Sequence, residues 1–331
     1  MIWLKRILAG LALLVLCAVS VIAIGVLSSF DWERTHRRAT EGLPELEAAR
    51  GTADIEIVQI ELDGMSFRAR VAGLDGTGPG LILLHGFPET SAMWTPLIEE
   101  AVASGYRVVA FDQRGYSPGA RPDGVAAYVV PNLTADVIAI ADAVGFERFH
   151  LVGHDWGCIV GWGVTIQHPD RVISWAGLSI PHPGALLANL RQDLPVYIKI
   201  FTAPWVPEAM LGWNDLENLR EGAYAASTPA QREEYLAVLS EPGALTAVLN
   251  WYRAITTSLG DAESSSGPVE GVPTLFIWGT REGWVTDEAL VLQRDLVNAP
   301  YTERELEAGH FLMQDQPEAV IEAVIDHLGA G

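Results

Sequence analysis

Apolar and polar residues alternate along two short runs, 55–62 and 65–71, which Asp63-Gly64 separates. Strict alternation is typical of a strand with one buried face. Asp-Gly between two such runs is a strong signal for a tight hairpin turn. The pattern therefore predicts an antiparallel pair of strands near the beginning of the folded part of the chain.

Farther along, short apolar runs alternate with segments of helical spacing. The runs that predict strands are 81–84, 107–111, 149–152, 172–178, 274–278 and 301–306. The segments that predict helices are 90–104, 133–144, about 157–168, 288–296 and 317–328. Strands that alternate with helices are typical of a mostly parallel sheet flanked by helices. The sequence thus predicts an α/β fold.

The alternation stops between residues 183 and 267. This stretch has helical spacing, scattered Pro, Trp and Tyr residues and no strand pattern, and it closes on the loop-like sequence 264–267. Such a segment is typical of a helical cap inserted into a core. We therefore predict a core made of residues 39–182 and 268–331, with a cap at 183–267.

Residues 7–30 form a run of 24 positions without a charged side chain, and Trp3 and Trp32 lie near its ends. At 1.5 Å per residue, a helix of this length crosses a hydrocarbon layer of roughly 30 Å. A cleaved signal peptide has a shorter apolar region, roughly 7–15 residues, and a small-x-small cleavage site. The run is longer and lacks a convincing site of that kind, so we predict an uncleaved single-pass anchor within residues 1–38.

The orientation of this anchor stays open. Positive charge marks the cytoplasmic flank of a membrane span. Lys5 and Arg6 precede the run, whereas Arg34, Arg37 and Arg38 follow it, so the two flanks nearly balance. The sequence therefore predicts a membrane location without assigning the side, and it keeps a cleaved signal as the alternative.

Composition excludes some classes of function. The chain of 331 residues has 42 acidic and 21 basic side chains, a formal net charge of −21. Outside residues 1–38 there are 16 basic and 40 acidic side chains, a net charge of −24. Phosphate backbones repel so acidic a surface, which argues against nucleic-acid binding. Two cysteines, Cys17 and Cys158, are too few for a disulfide framework.

The clearest chemical motif is Gly153-His154-Asp155-Trp156-Gly157, between a predicted strand and a predicted helix. Small residues around one functional side chain fit a sharp strand-to-helix turn that projects this side chain above the sheet edge. The projecting residue is Asp155, and a carboxylate can attack a carbon that bears a good leaving group. We predict that Asp155 is a nucleophile; the alternative is a helix-capping aspartate.

Two further strand ends complete a candidate site. Backbone N–H groups of Phe87, in HGFPE (85–89), and of Trp156 are the expected oxyanion donors. His310, after the last strand, is the expected base. The order nucleophile, acid, histidine then requires an acid between Asp155 and His310. Glu282 is the candidate, and Asp287 is the backup.

From about residue 52 to the C-terminus, the chain resembles α/β-hydrolases of the epoxide hydrolase family. The matching segments are HGFPE (85–89), DQRGYSPGARP (112–122), GHDWGC (153–158), SIPHPGA (179–185) and AGHF (308–311). The resemblance implies an α/β-hydrolase fold and hydrolysis of a small-molecule epoxide to a vicinal diol through an ester on Asp155. The predicted membrane anchor adds the hypothesis that this epoxide is lipophilic, since such molecules partition into bilayers. The resemblance implies no metal and no organic cofactor, and it leaves the oligomeric state open.

The same resemblance points to two cap tyrosines that would donate protons to the epoxide oxygen. Tyr197 is placed by the Phe-x-x-Pro-x-x-x-Glu segment at 201–208, and Tyr252 by Asn-Trp-Tyr-Arg at 250–253. The alternative for each is a half-buried amphipathic cap residue. Glu282 departs from the family, in which this acid is usually an aspartate; the extra methylene must fold back for its carboxylate to reach His310.

Haloalkane dehalogenases share the fold, the aspartate and the histidine, and they are the first alternative. They need two donors for the leaving halide. Trp156 is one candidate; the second is often an asparagine where this chain has Phe87, or else a cap tryptophan. The cap tryptophans considered are Trp205, Trp213 and Trp251. A non-catalytic receptor or scaffold on the same fold is the further alternative.

Overall fold

A computed structural model describes residues 15–17, 19–21, 54–190, 195–258 and 266–330. The six residues near the N-terminus are helical and exposed, and the rest of the predicted anchor lies outside the described residues. Among the residues described, none of the helices combines the length and the apolar character needed to span a bilayer. The anchor therefore stays a prediction.

The centre of the described structure is an eight-stranded sheet, accompanied by a separate pair of two-residue strands. The ten strands are β1 (Glu56–Leu62), β2 (Met65–Ala72), β3 (Gly80–Leu84), β4 (Arg107–Phe111), β5 (Phe149–His154), β6 (Val172–Leu178), β7 (Val269–Glu270), β8 (Thr274–Gly279), β9 (Val297–Asn298) and β10 (Tyr301–Leu306). The sequence pattern missed the β7–β9 pair because two residues are too few to show a period.

The strand order in the main sheet is β1-β2-β4-β3-β5-β6-β8-β10. The predicted hairpin is confirmed: β1 pairs antiparallel with β2, and Asp63 and Gly64 both have positive φ between them. β2 also runs antiparallel to β4, and every later pairing is parallel. From β3 the chain continues to β4 on one side of the sheet, and β5 then lies on the other side of β3. Such a reversal of strand order forms a crevice at the carboxyl ends of the strands.

Helices cover the sheet and also fill the interval between β6 and β7. The twelve α-helices that follow β1 in the described residues are α1 (Thr95–Ala103), α2 (Val130–Ala143), α3 (Trp156–Gln167), α4 (Pro183–Leu190), α5 (Val196–Phe201), α6 (Val206–Gly212), α7 (Glu217–Glu221), α8 (Pro229–Leu239), α9 (Ala244–Ser258), α10 (Asp287–Asp295), α11 (Leu312–Asp315) and α12 (Pro317–Gly329). Helices α4 to α9 occupy the predicted cap. The cap and core boundaries themselves stay a prediction.

Two predicted helices differ at their beginnings from the observed ones, and proline is involved in both. The expected helix at 90–104 divides into a 3-10 turn, Ser91–Trp94, and α1, whose first turn contains Pro96. The helix expected from 133 begins instead at Val130, with Pro131 in its first turn. Proline fits the first turn of a helix because the N–H that it lacks would have no partner inside that helix.

A buried group of charged side chains joins helix α8 to the sheet. Glu234 of α8 accepts hydrogen bonds from Arg68 at 3.1 Å, from Arg70 at 3.0 Å and from Thr90 at 2.8 Å. Arg68 also pairs with Asp112, and all four charged side chains are at most 2% exposed. Two arginines therefore face two carboxylates, and this balance of charge is what makes their burial tolerable. We call Arg68, Arg70, Asp112 and Glu234 the buried ion cluster.

Candidate active site

Asp155 lies on a sharp turn between β5 and α3. Its backbone has φ 51° and ψ −119°, and residues other than glycine rarely adopt such a positive φ. The neighbouring glycines are required by close packing. A Cβ on Gly157 would stand 2.2 Å from the Leu84 carbonyl oxygen, and a Cβ on Gly153 would stand 2.3 Å from the Gly157 carbonyl oxygen. The turn therefore has the geometry that the sequence predicts for a nucleophile.

The Asp155 carboxylate is held from two sides. Its Oδ1 accepts the Phe87 N–H at 2.7 Å, and the Trp156 N–H is a second backbone donor. Its Oδ2 lies 3.3 Å from His310 Nε2. Burial alone would raise the pKa of Asp155, but the hydrogen bond to His310, the charge of His310 and the Trp156 N–H outweigh it and lower the pKa. Asp155 is thus kept ionised, as a nucleophile must be.

His310 is bound on its other side by Glu282. His310 Nδ1 and Glu282 Oε2 are 2.6 Å apart, and the Glu282 side chain is 3% exposed. The Trp284 N–H donates to Glu282 Oε1 at 3.2 Å. Asp287, the backup acid, is an exposed residue in the first turn of α10. The fold therefore brings Glu282 to His310, and the longer glutamate side chain reaches it.

The two carboxylates also control the protonation of His310. Burial lowers the pKa of His310, but hydrogen bonds and charges from Asp155 and Glu282 raise it to about 10. With Asp155 ionised, His310 is accordingly an imidazolium at neutral pH. An ester on Asp155 would remove one of the two charges that raise this pKa, and a neutral imidazole could then act as a base.

The two cap tyrosines occupy different surroundings. Tyr252 on α9 is 5% exposed, and its ring contacts those of Phe87, Trp156 and Phe201 at centroid distances of 5.5, 5.1 and 5.0 Å. Tyr197 on α5 is 40% exposed and contacts Phe201 at 5.6 Å and Trp284 at 6.0 Å. Burial raises the pKa of both hydroxyls, and the charge of Asp155 adds to it. Both tyrosines therefore stay protonated and can donate.

One cavity of about 710 Å³ brings the predicted catalytic side chains together. Its lining includes Asp155, Glu282, His310, Tyr197, Tyr252 and Phe87. The remaining walls are mostly apolar and include Phe201, Leu211, Leu219, Trp284 and Phe311. Trp156 does not line the cavity; its N–H points to Asp155, and its ring packs beneath Tyr252. Six of the seven predicted site residues thus share one space.

The three cap tryptophans that are candidates for binding a halide are not among the described residues that line this cavity. Trp251 is 1% exposed, and its indole N–H donates to the Arg114 carbonyl oxygen at 2.9 Å. Trp205 and Trp213 are exposed on the outer surface of the cap. The cap therefore offers a buried tyrosine hydroxyl near Asp155, whereas none of these three indoles is placed to hold a leaving halide.

Sequence reasoning missed the residues that support the His310 loop. The His310 carbonyl oxygen accepts from Ser179 Oγ at 2.8 Å and lies 2.8 Å from His154 Nε2. Behind His154, Nδ1 stands 3.5 Å from the buried Glu89 carboxylate. Ser179 and Glu89 belong to two of the segments that match the family, SIPHPGA and HGFPE. Their place in these segments was the only feature of the sequence that could have indicated their role.

Comparison with known proteins agrees with this geometry. The sequence model of the alpha/beta hydrolase family matches residues 81–323. The chain is 32% identical to the AB hydrolase superfamily protein YfhM of Bacillus subtilis and 30% identical to epoxide hydrolase A of Mycobacterium tuberculosis. Each match covers 81% of this chain and 96% of the relative.

Solved structures give the same result. The crystal structure of epoxide hydrolase A from Mycobacterium thermoresistibile is similar to this fold, with a TM-score of 0.69 and 29% sequence identity. The match covers 83% of this chain and 98% of that one. The protein therefore belongs to the α/β-hydrolase family and, within it, to the epoxide hydrolase family.

Proposed function

We propose that this protein hydrolyses an epoxide to a vicinal diol through a covalent ester on Asp155. The observation that carries the proposal is the shared cavity. An ionised carboxylate with a histidine–glutamate pair behind it faces the same space as two protonated cap tyrosines. Strained ring ethers need these two functions, a nucleophile for carbon and an acid for oxygen.

In the first step, an Asp155 oxygen bonds to one epoxide carbon while the bond from that carbon to the ring oxygen breaks. The electron pair goes to the ring oxygen, which takes a proton from Tyr197 or Tyr252. Tyr197 lines the cavity, Phe201 and Trp284 pack beside its ring, and the Trp284 side chain also hydrogen-bonds to its hydroxyl. The products of the step are a neutral alkyl ester and a tyrosinate, and the tyrosinate is reprotonated by the proton that the His310 imidazolium releases once the charge of Asp155 is gone.

In the second step, His310 takes a proton from water, and the oxygen of that water bonds to the carboxyl carbon of Asp155. The Phe87 and Trp156 N–H groups, which hold the free carboxylate, would donate to the oxyanion. Glu282 stabilises the imidazolium that forms. Collapse breaks the ester bond, the departing alkoxide takes the proton from the His310 imidazolium and leaves as the diol, and Asp155 retains one oxygen from water.

Intact-mass measurement on the His310→Ala variant tests this order of steps. We expect an adduct of the full mass of the epoxide on that variant, and no adduct on His310→Ala/Asp155→Asn. His168→Ala is the matched control because His168 lies outside the cavity, and it should show turnover without an adduct. Absence of an adduct, with an epoxide that the wild type converts to diol, would refute the ester.

The two alternative functions, a haloalkane dehalogenase and a non-catalytic scaffold, predict different results in activity assays. A dehalogenase would release halide from a haloalkane, so halide and diol assays on the same preparation distinguish the two. A non-catalytic scaffold would keep its properties in Asp155→Asn, whereas the proposal predicts loss of about 10⁴-fold or more of turnover when a covalent nucleophile is removed.

We further propose that residues 7–30 anchor the chain in a membrane and that the substrate is a lipophilic epoxide. The support is the uncharged length of this run and the apolar walls of the cavity. Carbonate extraction of membranes from expressing cells should leave the full chain in the pellet. Release into the supernatant, or a mature N-terminus beyond residue 30, would contradict the anchor.

A further inference from the structure

Four large apolar side chains of the cap face solvent. Val196 is 71% exposed, Trp205 63%, Met210 47% and Trp213 41%. Trp205 and Trp213 lie directly before and after α6, Met210 lies within it, and Val196 begins α5, which packs against α6. Clustered exposed apolar side chains mark sites of contact with proteins or membranes. We call Val196, Trp205, Met210 and Trp213 the cap patch.

The cap patch lies on and beside the same helices that line the catalytic cavity. Val196 stands between Pro195 and Tyr197, both of which line the cavity. Met210 precedes Leu211, another lining residue. The same two short helices, α5 and α6, therefore present one side to the cavity and the other to solvent.

Trp205 combines an exposed side chain with an unusual backbone conformation. It has φ 53°, in the left-handed region that bulky side chains rarely adopt. Burial of the indole would ordinarily stabilise the fold. An unfavourable backbone conformation and an exposed indole thus coincide at this residue, and a contact outside the cap would offset both costs.

The sequence indicates that the cap patch contacts a membrane. Residues 7–30 have the length and composition of a membrane anchor, and residues 31–53 separate them from the first described residue of the core. A linker of 23 residues spans up to about 80 Å. A compact domain of the size that follows has a radius of gyration of about 19 Å. Any face of this domain can therefore reach the bilayer that holds the anchor.

Charge narrows the choice of lipid and of substrate. With a net charge of −24 outside residues 1–38, the domain is repelled by anionic headgroups. Tryptophan, in contrast, favours the interface of any bilayer. Among the described residues that line the cavity there is no lysine and no arginine, and the one cationic side chain, His310, is already paired with Asp155 and Glu282, so the lining does not favour an anionic substrate.

We propose that the cap patch rests on the surface of a zwitterionic bilayer and that the cavity takes neutral epoxides from that bilayer. The docking itself is independent of the reaction; its consequence for substrate entry rests on the proposed function. Tyr197 then stands at the boundary between lipid and cavity.

A fluorescent label tests the docking directly. The full chain with Cys17→Ser and Met210→Cys is labelled with nitrobenzoxadiazole in phosphatidylcholine vesicles; Cys158 is buried and does not compete. Val291→Cys in the same background is the matched control, an exposed apolar position of α10. We expect blue-shifted emission and quenching by brominated lipid at position 210 and neither at position 291.

Equal signals at the two positions would overturn the proposal. So would efficient disulfide cross-linking of Met210→Cys between two copies at low protein density, since the patch would then join copies of the chain. Neither measurement depends on turnover, so both can decide the docking even if the wild type hydrolyses no epoxide and the proposed function fails.

A kinetic test addresses substrate entry. Trp205→Ser/Trp213→Ser should lower kcat/KM for a long-chain alkyl epoxide dissolved in the vesicles by about fivefold or more, because interfacial binding scales with the apolar area inserted. The same variant should leave kcat/KM for a short, water-soluble epoxide unchanged, and Val291→Ser/Leu292→Ser should change neither. Equal losses with both epoxides, or no loss with either, would overturn the entry route.

Discussion

The two halves of the cap hold their tyrosines in different ways. The half that contains α8 and α9 is fixed to the core by buried polar bonds, from Glu234 to the arginines of β2, from Gln231 to the Ala92 carbonyl oxygen and from Trp251 to the Arg114 carbonyl oxygen. The half that contains α5 and α6 meets the core mainly through ring contacts, Phe201 with Phe87 and Tyr197 with Trp284.

This difference separates two tasks. Directional bonds between buried groups fix one arrangement, because each donor that moves loses its acceptor. Ring contacts tolerate sliding and tilting at small cost. Tyr252 is therefore set in position by the fold, whereas Tyr197, at 40% exposure, can adjust to substrates of different shape. Arg253 links the halves, since it bonds to Glu208 at 2.8 Å and to the Ala203 carbonyl oxygen at 2.9 Å.

The largest effect is expected from breaking the buried ion cluster. Glu234→Gln would leave Arg68 and Arg70 buried beside one carboxylate, Asp112, and should lower the free energy of unfolding by about 3–5 kcal/mol. Chemical denaturation measures this loss. Glu233→Gln is the matched control: its partner is Arg220, both side chains are partly exposed, and the expected change is about 0–1 kcal/mol. Equal losses in the two variants would remove the basis of the comparison.

The two tyrosines should differ in their effect on the alkylation rate. Tyr252→Phe removes the fixed donor and should slow single-turnover ester formation by about 100-fold, within the range for a positioned general acid. Tyr197→Phe should slow it by only about tenfold, because Tyr252 continues to donate. Rapid quench followed by mass spectrometry measures both rates. A larger loss for Tyr197→Phe would reverse the assignment of fixed and adjustable donor.

A smaller effect is expected from loosening the ring contact of Tyr197. Trp284→Leu removes an aromatic pair worth about 0.5–1.5 kcal/mol and also the side-chain hydrogen bond between Trp284 and Tyr197, so alkylation should slow by at least roughly two- to tenfold. The bond from the Trp284 N–H to Glu282 comes from the backbone and remains, so the hydrolysis rate of the ester should not change. Trp284→Phe should restore the part of the loss that comes from the ring contact, but not the part that comes from the hydrogen bond. If the hydrolysis rate of the ester changes instead, Trp284 supports the Glu282–His310 pair and does not position Tyr197.

A change of pH should not distinguish the two halves of the cap, because it acts on His310 in the core beneath both of them. His310 has a pKa raised from 6.5 to about 10 in the folded state, so its contribution to stability is complete below about pH 6.5 and disappears as pH rises to about 10. His310→Gln should lack this loss. Denaturation curves of the two proteins between pH 6 and 10 measure it, and parallel pH profiles would contradict it.

Much of the fold was predictable because the patterns are local. Alternation at 55–71 around Asp63-Gly64 predicted the hairpin, and apolar runs predicted the strands of the parallel sheet, because side-chain periods follow from backbone geometry. Asp155, Phe87 and His310 were found for a similar reason. Each follows a strand, and in a parallel sheet such loops meet at one edge. The tyrosines were found through family resemblance.

Other features depended on contacts between distant parts of the chain. Glu282 and Asp287 are five positions apart, and both fit the required chain order; only the course of the loop after β8 brings Glu282 to 2.6 Å from His310. Glu234 and Arg70 are 164 positions apart and form the tie of the cap to the core. No local pattern encodes such a pair, because it arises from the way the insertion folds back on the sheet.

The sequence by itself determined the alternating architecture, the sharp turn at Asp155, the acidity of the domain and the long uncharged run at 7–30, since each is a property of neighbouring residues or of composition. The tertiary structure decided which acid serves His310, which aromatic side chains enter the cavity and which, like Trp205 and Trp213, remain on the surface. Burial and hydrogen-bond partners depend on how distant parts of the chain pack together, so no local sequence pattern determines them.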